Sequence, residues 1–120
     1  NIGYRAGTGF PFKLFDNQTK QAIPVLEIPM IIQDGALLGT NALEYSVNKS
    51  LEVITRFLHK TQETNGCLTL LFHPDIFLKE GLSSLYEATI RLALEQGAWV
   101  TDAKTLARYW EQRNQTLGYL

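Results

Sequence analysis

The sequence predicts an α/β fold, and three observations carry that expectation. Apolar segments without a helical period alternate with segments whose apolar residues recur every three or four positions, in the order strand, helix, strand, helix, strand, helix. Such alternation implies parallel strands joined by right-handed helical crossovers. The composition is that of an ordinary folded domain, 45% hydrophobic and 19% charged over 120 residues, a size that buries roughly two thirds of the unfolded surface around one core. Residues 1–120 read as one unit, with no repeat, low-complexity tract or interdomain linker.

Gly3 to Gly9 holds three glycines before Phe10-Pro11-Phe12, the pattern of a strand end running into a loop with unusual torsions. Ile23 to Ile32 is near-continuously apolar, as expected of a parallel strand covered on both faces, although Pro24 and Pro29 predict a short or irregular one. From Asn41 the period turns helical, with Leu43, Val47, Leu51, Ile54 and Leu58 on one stripe. Asn41 and Glu44 have capping-box spacing, and Asn65-Gly66 supplies the stop after roughly five turns.

Leu68 to Phe72 is a compact apolar run, a second buried strand ending at His73-Pro74. Ser84 and Glu87 repeat the capping-box spacing and open a helix through Leu85, Ala88, Leu92 and Leu94, with Gly97 as its C-terminal cap. Ala98-Trp99-Val100 reads as a very short strand. Thr101 and Asp102 can cap a last helix whose apolar side carries Leu106, Tyr109 and Trp110.

Charge and hydropathy exclude two partner classes. A net charge of -1 with dispersed Lys and Arg offers no basic stripe for a phosphate backbone, so nucleic acid is not an expected partner. The longest apolar runs fall well short of the roughly 20 residues that span a bilayer, so no membrane span is expected. The single Cys67 cannot form an internal disulfide and leaves the redox compartment open. Without an initiating Met or a signal segment, the sequence reads as part of something longer.

In an α/β architecture the functional loops follow the C-terminal ends of strands. That rule gathers Arg5 to Phe12, the segment around Asp34, and His73 to Glu80 on one rim. His73, held between an apolar strand and Pro74, has the rigid placement that a general acid or base needs. The same position suits a histidine hydrogen-bonded beneath a loop. Arg5 lies among Gly3, Ala6, Gly7 and Thr8, small residues that let a carboxylate or a substrate approach its fork, though a surface ion pair fits as well.

Asp34 is either a rim carboxylate or the turn residue of an Asp-Gly dipeptide. Glu27, inside an apolar run, is expected to be buried and to pair with a cation. His59 reads as a solvated residue late in the long helix. No Gly-Lys-Ser/Thr follows the glycines, which sets nucleotide binding aside. No His-x-x-x-His or Cys-x-x-Cys spacing occurs, so no metal ligand is expected within the segment.

Gly3-Tyr4-Arg5-Ala6-Gly7-Thr8-Gly9-Phe10-Pro11-Phe12, Glu27-Ile28-Pro29 with Asp34, Leu68 to Pro74, and Gly97 to Lys104 together resemble the C-terminal portion of polysaccharide deacetylases of the NodB-homology type, in order along nearly the whole chain. The resemblance implies part of a distorted (β/α) barrel that removes N-acetyl groups from a polysaccharide. It also implies a divalent metal, zinc in the first place, with ligands in an N-terminal half outside this segment.

By resemblance, Arg5 matches the arginine that orients the catalytic aspartate, and His73 the histidine that protonates the departing amine. Asp34 matches the aspartate that keeps this histidine charged; the tryptophan common shortly before it is replaced near Ile28. Thr8 stands where the family has Tyr or Phe, so its backbone amide is retained for substrate binding and the ring is lost. Family members commonly act outside the cytoplasm. The expected partners are an N-acetylated polysaccharide and, at the open sheet edges, the remainder of the barrel or another copy of the chain. The alternatives are a barrel that has lost catalysis and only binds carbohydrate or a protein, and a purely structural domain.

Overall fold

The computed structural model describes residues 2–78 and 82–119, with the backbone alone at Ile76. It is a mixed α/β structure: a hairpin of β1 (Phe12–Asp16) and β2 (Gln21–Glu27), then β3 (Ile32–Gln33), α1 (Asp34–Leu38), α2 (Val47–Thr64), β4 (Leu70–Leu71), a 3-10 turn (Pro74–Leu78), α3 (Ser83–Glu95) and α4 (Ala103–Leu117). The expected crossover is present once. β3 and β4 pair in parallel, Ile32 beside Leu70 and Gln33 beside Leu71, with α1 and α2 between them in sequence. The described residues form two separate two-stranded sheets.

The region from Ile23 to Ile32 departs most from expectation. It is not one buried parallel strand: β2 runs antiparallel to β1 and carries no buried residue, and the chain re-forms a strand only at Ile32. The prolines explain the break. Between the pairs Lys13–Leu26 and Phe15–Ala22, three residues of β2 face Leu14 alone, so Pro24, which has no N–H to donate, sits within the irregular stretch of the ladder. Pro29 again lacks a donor between the two strands. The hairpin reverses at Asp16, whose carboxylate accepts from the Gln18 amide at 2.8 Å and the Thr19 hydroxyl at 2.8 Å, while Lys20 takes a left-handed φ of 56°. Glu27 ends β2 only half-buried and, among the described residues, forms no ion pair.

The long helix begins later than the Asn41 spacing suggests. Ser46 is its N-cap, accepting from the Lys49 amide at 3.2 Å. Residues 41–45 are held instead by α1, through Leu43 N to Ala36 O and Tyr45 N to Leu37 O, and Glu44 has a φ of 52°, which a helix does not accommodate. The stop falls where Asn65-Gly66 places it: Asn65 is left-handed, and the Gly66 amide donates to Thr61 O at 2.9 Å.

Only Leu70–Leu71 of the Leu68 to Phe72 run pairs as a strand. α3 starts one residue before Ser84, which puts Ser84 inside the first turn instead of at the cap, so the Ser84–Glu87 box does not form. Gly97 closes α3 with a φ of 76° and an amide donated to Leu94 O. Ala98-Trp99-Val100 is not a strand. Asp102 caps α4 by accepting from the Thr105 amide at 2.7 Å.

The core lies over β3. Ile31, Ile32, Leu37, Ile54, Leu58, Leu85 and Ala93 form one buried cluster, with Val47, Leu51 and Phe57 of α2 and Phe72 packed against it. The stripe predicted for α2 therefore buries Ile54 and Leu58 as its period requires. α4 buries no residue and docks by aromatic contact, Trp110 stacking on Phe10 with ring centroids 5.8 Å apart.

Candidate functional site

The parallel pair delivers two side chains to one place. Asp34 follows the last residue of β3 and is the first of α1, and His73 lies two residues beyond β4. Because β3 and β4 are parallel and in register, both leave the C-terminal end of the same small sheet. Asp34 is buried, its side chain 6% exposed, while the His73 side chain is 48% exposed.

The carboxylate is fully committed to this neighbourhood. Asp34 Oδ1 accepts from the Gly35 amide at 2.6 Å and lies 2.6 Å from His73 Nδ1; Oδ2 accepts from the His73 amide at 2.8 Å. Burial pushes this carboxyl up, but the bonds from the His73 amide, the imidazole and the Gly35 amide outweigh it, and Asp34 is held below the usual carboxylate range. An ionised carboxylate only accepts, so Nδ1 carries the proton that points at it. Nε2 is then the ring nitrogen on the side away from the carboxylate.

A cavity of about 330 Å³ opens over the pair, at the small end of the roughly 300–1,000 Å³ typical of small-molecule sites. Asp34, Gly35, Leu38 and Gly39 line it together with His73, Asp75 and Leu82. Gly39 is required there by a close approach: a Cβ at this position would lie 2.4 Å from Gly35 O, which accepts the Gly39 amide. The Asp-Gly dipeptide thus opens a helix in place of an isolated turn.

Asp34 and His73 are brought together; Arg5 and Thr8 do not line this cavity. The Arg5 loop is tied alongside β3 by the bond from Gly3 N to Ile31 O at 2.8 Å, and Arg5 itself is exposed in a turn. Thr8 Oγ1 accepts from the Phe10 amide at 3.0 Å, a local loop contact. Of the rim expected from His73 to Glu80, Lys79 and Glu80 lie outside the described residues. Sequence reasoning singled out neither Gly39 nor Asp75, although Asp75 belonged to the expected rim and Gly39 follows Asp34 by a little more than one helical turn.

His59 is exposed on α2, as expected. Cys67 is half-buried, and burial pushes its thiol up, which favours the protonated form. Among the described residues no group of three or more His, Cys, Asp or Glu could hold a metal ion, and no helix is long and apolar enough to cross a membrane. The site can hold a proton on an oriented, half-exposed imidazole beside a small cavity, which is the equipment of a general acid or base. No protein-family model, curated protein or solved structure matches the chain.

Proposed function

We propose that this chain is the acid-side portion of a deacetylase-like (β/α) barrel that hydrolyses N-acetyl groups on a polysaccharide. The observation that carries the reading is the Asp34–His73 pair, a buried ionised carboxylate 2.6 Å from the Nδ1 of a half-exposed histidine at the mouth of a cavity. When an acetamide C–N bond breaks, the departing nitrogen must gain a proton. His73 gives that proton from Nε2, and Asp34 stabilises the imidazolium through Nδ1 beforehand. The residues found together are the two that the resemblance assigns to these roles.

A divalent metal, zinc in the first place, would activate the water and polarise the acetyl carbonyl. The described residues do not supply its ligands, and in this reading they come from the rest of the barrel. Arg5 orients the catalytic aspartate of that missing half and Thr8 offers its amide to the substrate, which requires their loop to be covered by the remainder of the barrel. The open edges of the two short sheets take that remainder or another copy of the chain.

The test is acetate release from N-acetylglucosamine oligomers by the complete barrel with divalent metal supplied, comparing His73 with His73→Ala. Loss of a general acid lowers the rate by about 10²- to 10⁴-fold, and that fall is the expected result. No release with any divalent metal would replace the enzyme reading by a barrel that only binds carbohydrate or a protein partner.

A further inference from the structure

Three aromatic rings bracket the segment that carries His73. Phe72 immediately precedes His73, and its side chain packs against the buried core. Phe77 follows on the 3-10 turn and is 52% exposed. The Tyr86 ring of α3 meets both in edge-to-face geometry, its centroid 5.2 Å from that of Phe72 at 82° and 5.3 Å from that of Phe77 at 75°. Tyr86 stands on an anchored turn: its neighbour Leu85 is fully buried in the core cluster, and the hydroxyl of buried Thr89 donates to Leu85 O at 2.7 Å.

We propose that Tyr86 is a positioning residue for His73: its ring closes an aromatic clamp between Phe72 and Phe77 that holds the imidazole on Asp34. The two bonds to Asp34 make separate demands. Oδ2 accepts from the His73 amide at 2.8 Å while Oδ1 lies 2.6 Å from Nδ1, so main chain and ring must be in place together. β4 ends at Leu71, and the strand ladder therefore stops short of His73. Pro74 restricts His73 to extended backbone but does not set where that extended residue points. The clamp does so, because it ties the chain on both sides of His73-Pro74 to a helix rooted in the core. Tyr86 does not line the cavity and acts through His73. A displacement of about 1 Å at a reacting group can lower a rate by about 10²-fold, so such a tie bears on catalysis without touching a ligand. The acid role of the ring rests on the deacetylase reading above; the clamp rests on the ring geometry.

Two NMR readouts test the clamp without any ligand: hydrogen exchange at the His73 amide, and the nitrogen shifts of the neutral imidazole, which tell whether Nδ1 or Nε2 carries the proton. Phe77→Ala removes a ring that is more than half exposed, so the fold is retained. Tyr86→Leu keeps an apolar side chain and loses both edge-to-face pairs. In Phe77→Ala the His73 amide is expected to exchange about two- to tenfold faster, the range that one such ring pair supplies, and in Tyr86→Leu faster still. In both, the proton spreads from Nδ1 over the two ring nitrogens, while exchange at the amide of Leu58, inside α2, stays unchanged. Tyr86→Phe keeps the rings and leaves every readout as in the unmodified protein. Unchanged exchange and tautomer in Phe77→Ala and Tyr86→Leu overturn the proposal, as does faster exchange shared equally by Leu58, which marks a general loss of stability. Tyr86→Phe as loose as Tyr86→Leu overturns it too. A clamp that passes these tests in a complete barrel that releases no acetate would sink the deacetylase reading alone, and acetate release without the clamp would sink only the role of Tyr86.

Discussion

Ile32 and Phe15 are both large apolar residues in short strands, yet Ile32 is 1% exposed and Phe15 is 56% exposed. The difference lies in what covers each strand. β3 is paired in parallel with β4, and the helices that connect and follow the pair pack onto it, so Ile31, Ile32 and Leu37 are sealed beneath Ile54, Leu58 and Leu85. The strands of the β1–β2 hairpin pair with each other, and neither of them buries a residue. A parallel pair forces a long connection whose helices must lie over the sheet, whereas a hairpin closes with a few residues and brings no cover. The candidate site sits on the covered sheet, where packing from several elements fixes the backbone that aims Asp34 and His73.

The sharpest way to break this comparison is to hollow the covered region. Leu37→Ala removes a side chain that is 0% exposed and lies three residues from Asp34, and its expected cost is about 2–5 kcal/mol. That is a large part of the roughly 5–15 kcal/mol by which a domain of this size is stable. Urea unfolding followed by circular dichroism should show the midpoint falling with an unchanged slope. A loss below about 1 kcal/mol would mean that the site is not anchored by this core.

Asp34→Asn sharpens the comparison, because it alters the link between core and cavity without removing volume. Asn retains one acceptor and turns its other position into a donor, which then faces a donor of His73 or Gly35. The expected cost is about 1–3 kcal/mol near neutral pH. The pH dependence follows from the direction of the shift. Asp34 is lower in the folded state than in the unfolded one, so its contribution is complete above the unfolded value of about 3.9 and is lost as pH falls through the folded value. The stability difference between protein and variant should therefore shrink as unfolding is repeated from pH 6 toward pH 3. A difference that stays constant across that range would show that the charge on Asp34 contributes nothing.

The same contrast explains which features were legible in the sequence. The stripe through Ile54 and Leu58, the Asn65-Gly66 stop, the Gly97 closure and the Asp102 cap are signals contained within one or two turns, and each stands where its local chemistry requires. Asn41 and Glu44 had the right spacing for a cap, but the amides of Leu43 and Tyr45 are taken by carbonyls of α1, a contact that no local pattern encodes. Ile23 to Ile32 failed for a related reason. An apolar run reads alike whether helices cover it or a partner strand merely pairs with it, and only the prolines marked the irregular point. For the site, His73 was visible from its place at a strand end. The bond to Asp34 spans 39 residues and depends on the register of a two-residue pair, Ile32 with Leu70 and Gln33 with Leu71.

The smallest effect is expected at the hairpin. Phe15 is more than half exposed, so Phe15→Ser forfeits little burial, and the change in stability should stay within about 0.5 kcal/mol. Its consequence lies in association. Leu14, Phe15 and Val25 are 37%, 56% and 49% exposed on a two-stranded sheet with open edges, an arrangement that invites pairing with further strands. Light scattering across a concentration series should show the protein self-associating and Phe15→Ser doing so less at equal stability. If Phe15→Ser instead costs as much as Leu37→Ala, the hairpin is a load carried by the core, and the division between covered and uncovered strands fails. If the protein stays monomeric at every concentration, a second copy is not what the open edges receive, and the remainder of the barrel is left as their partner.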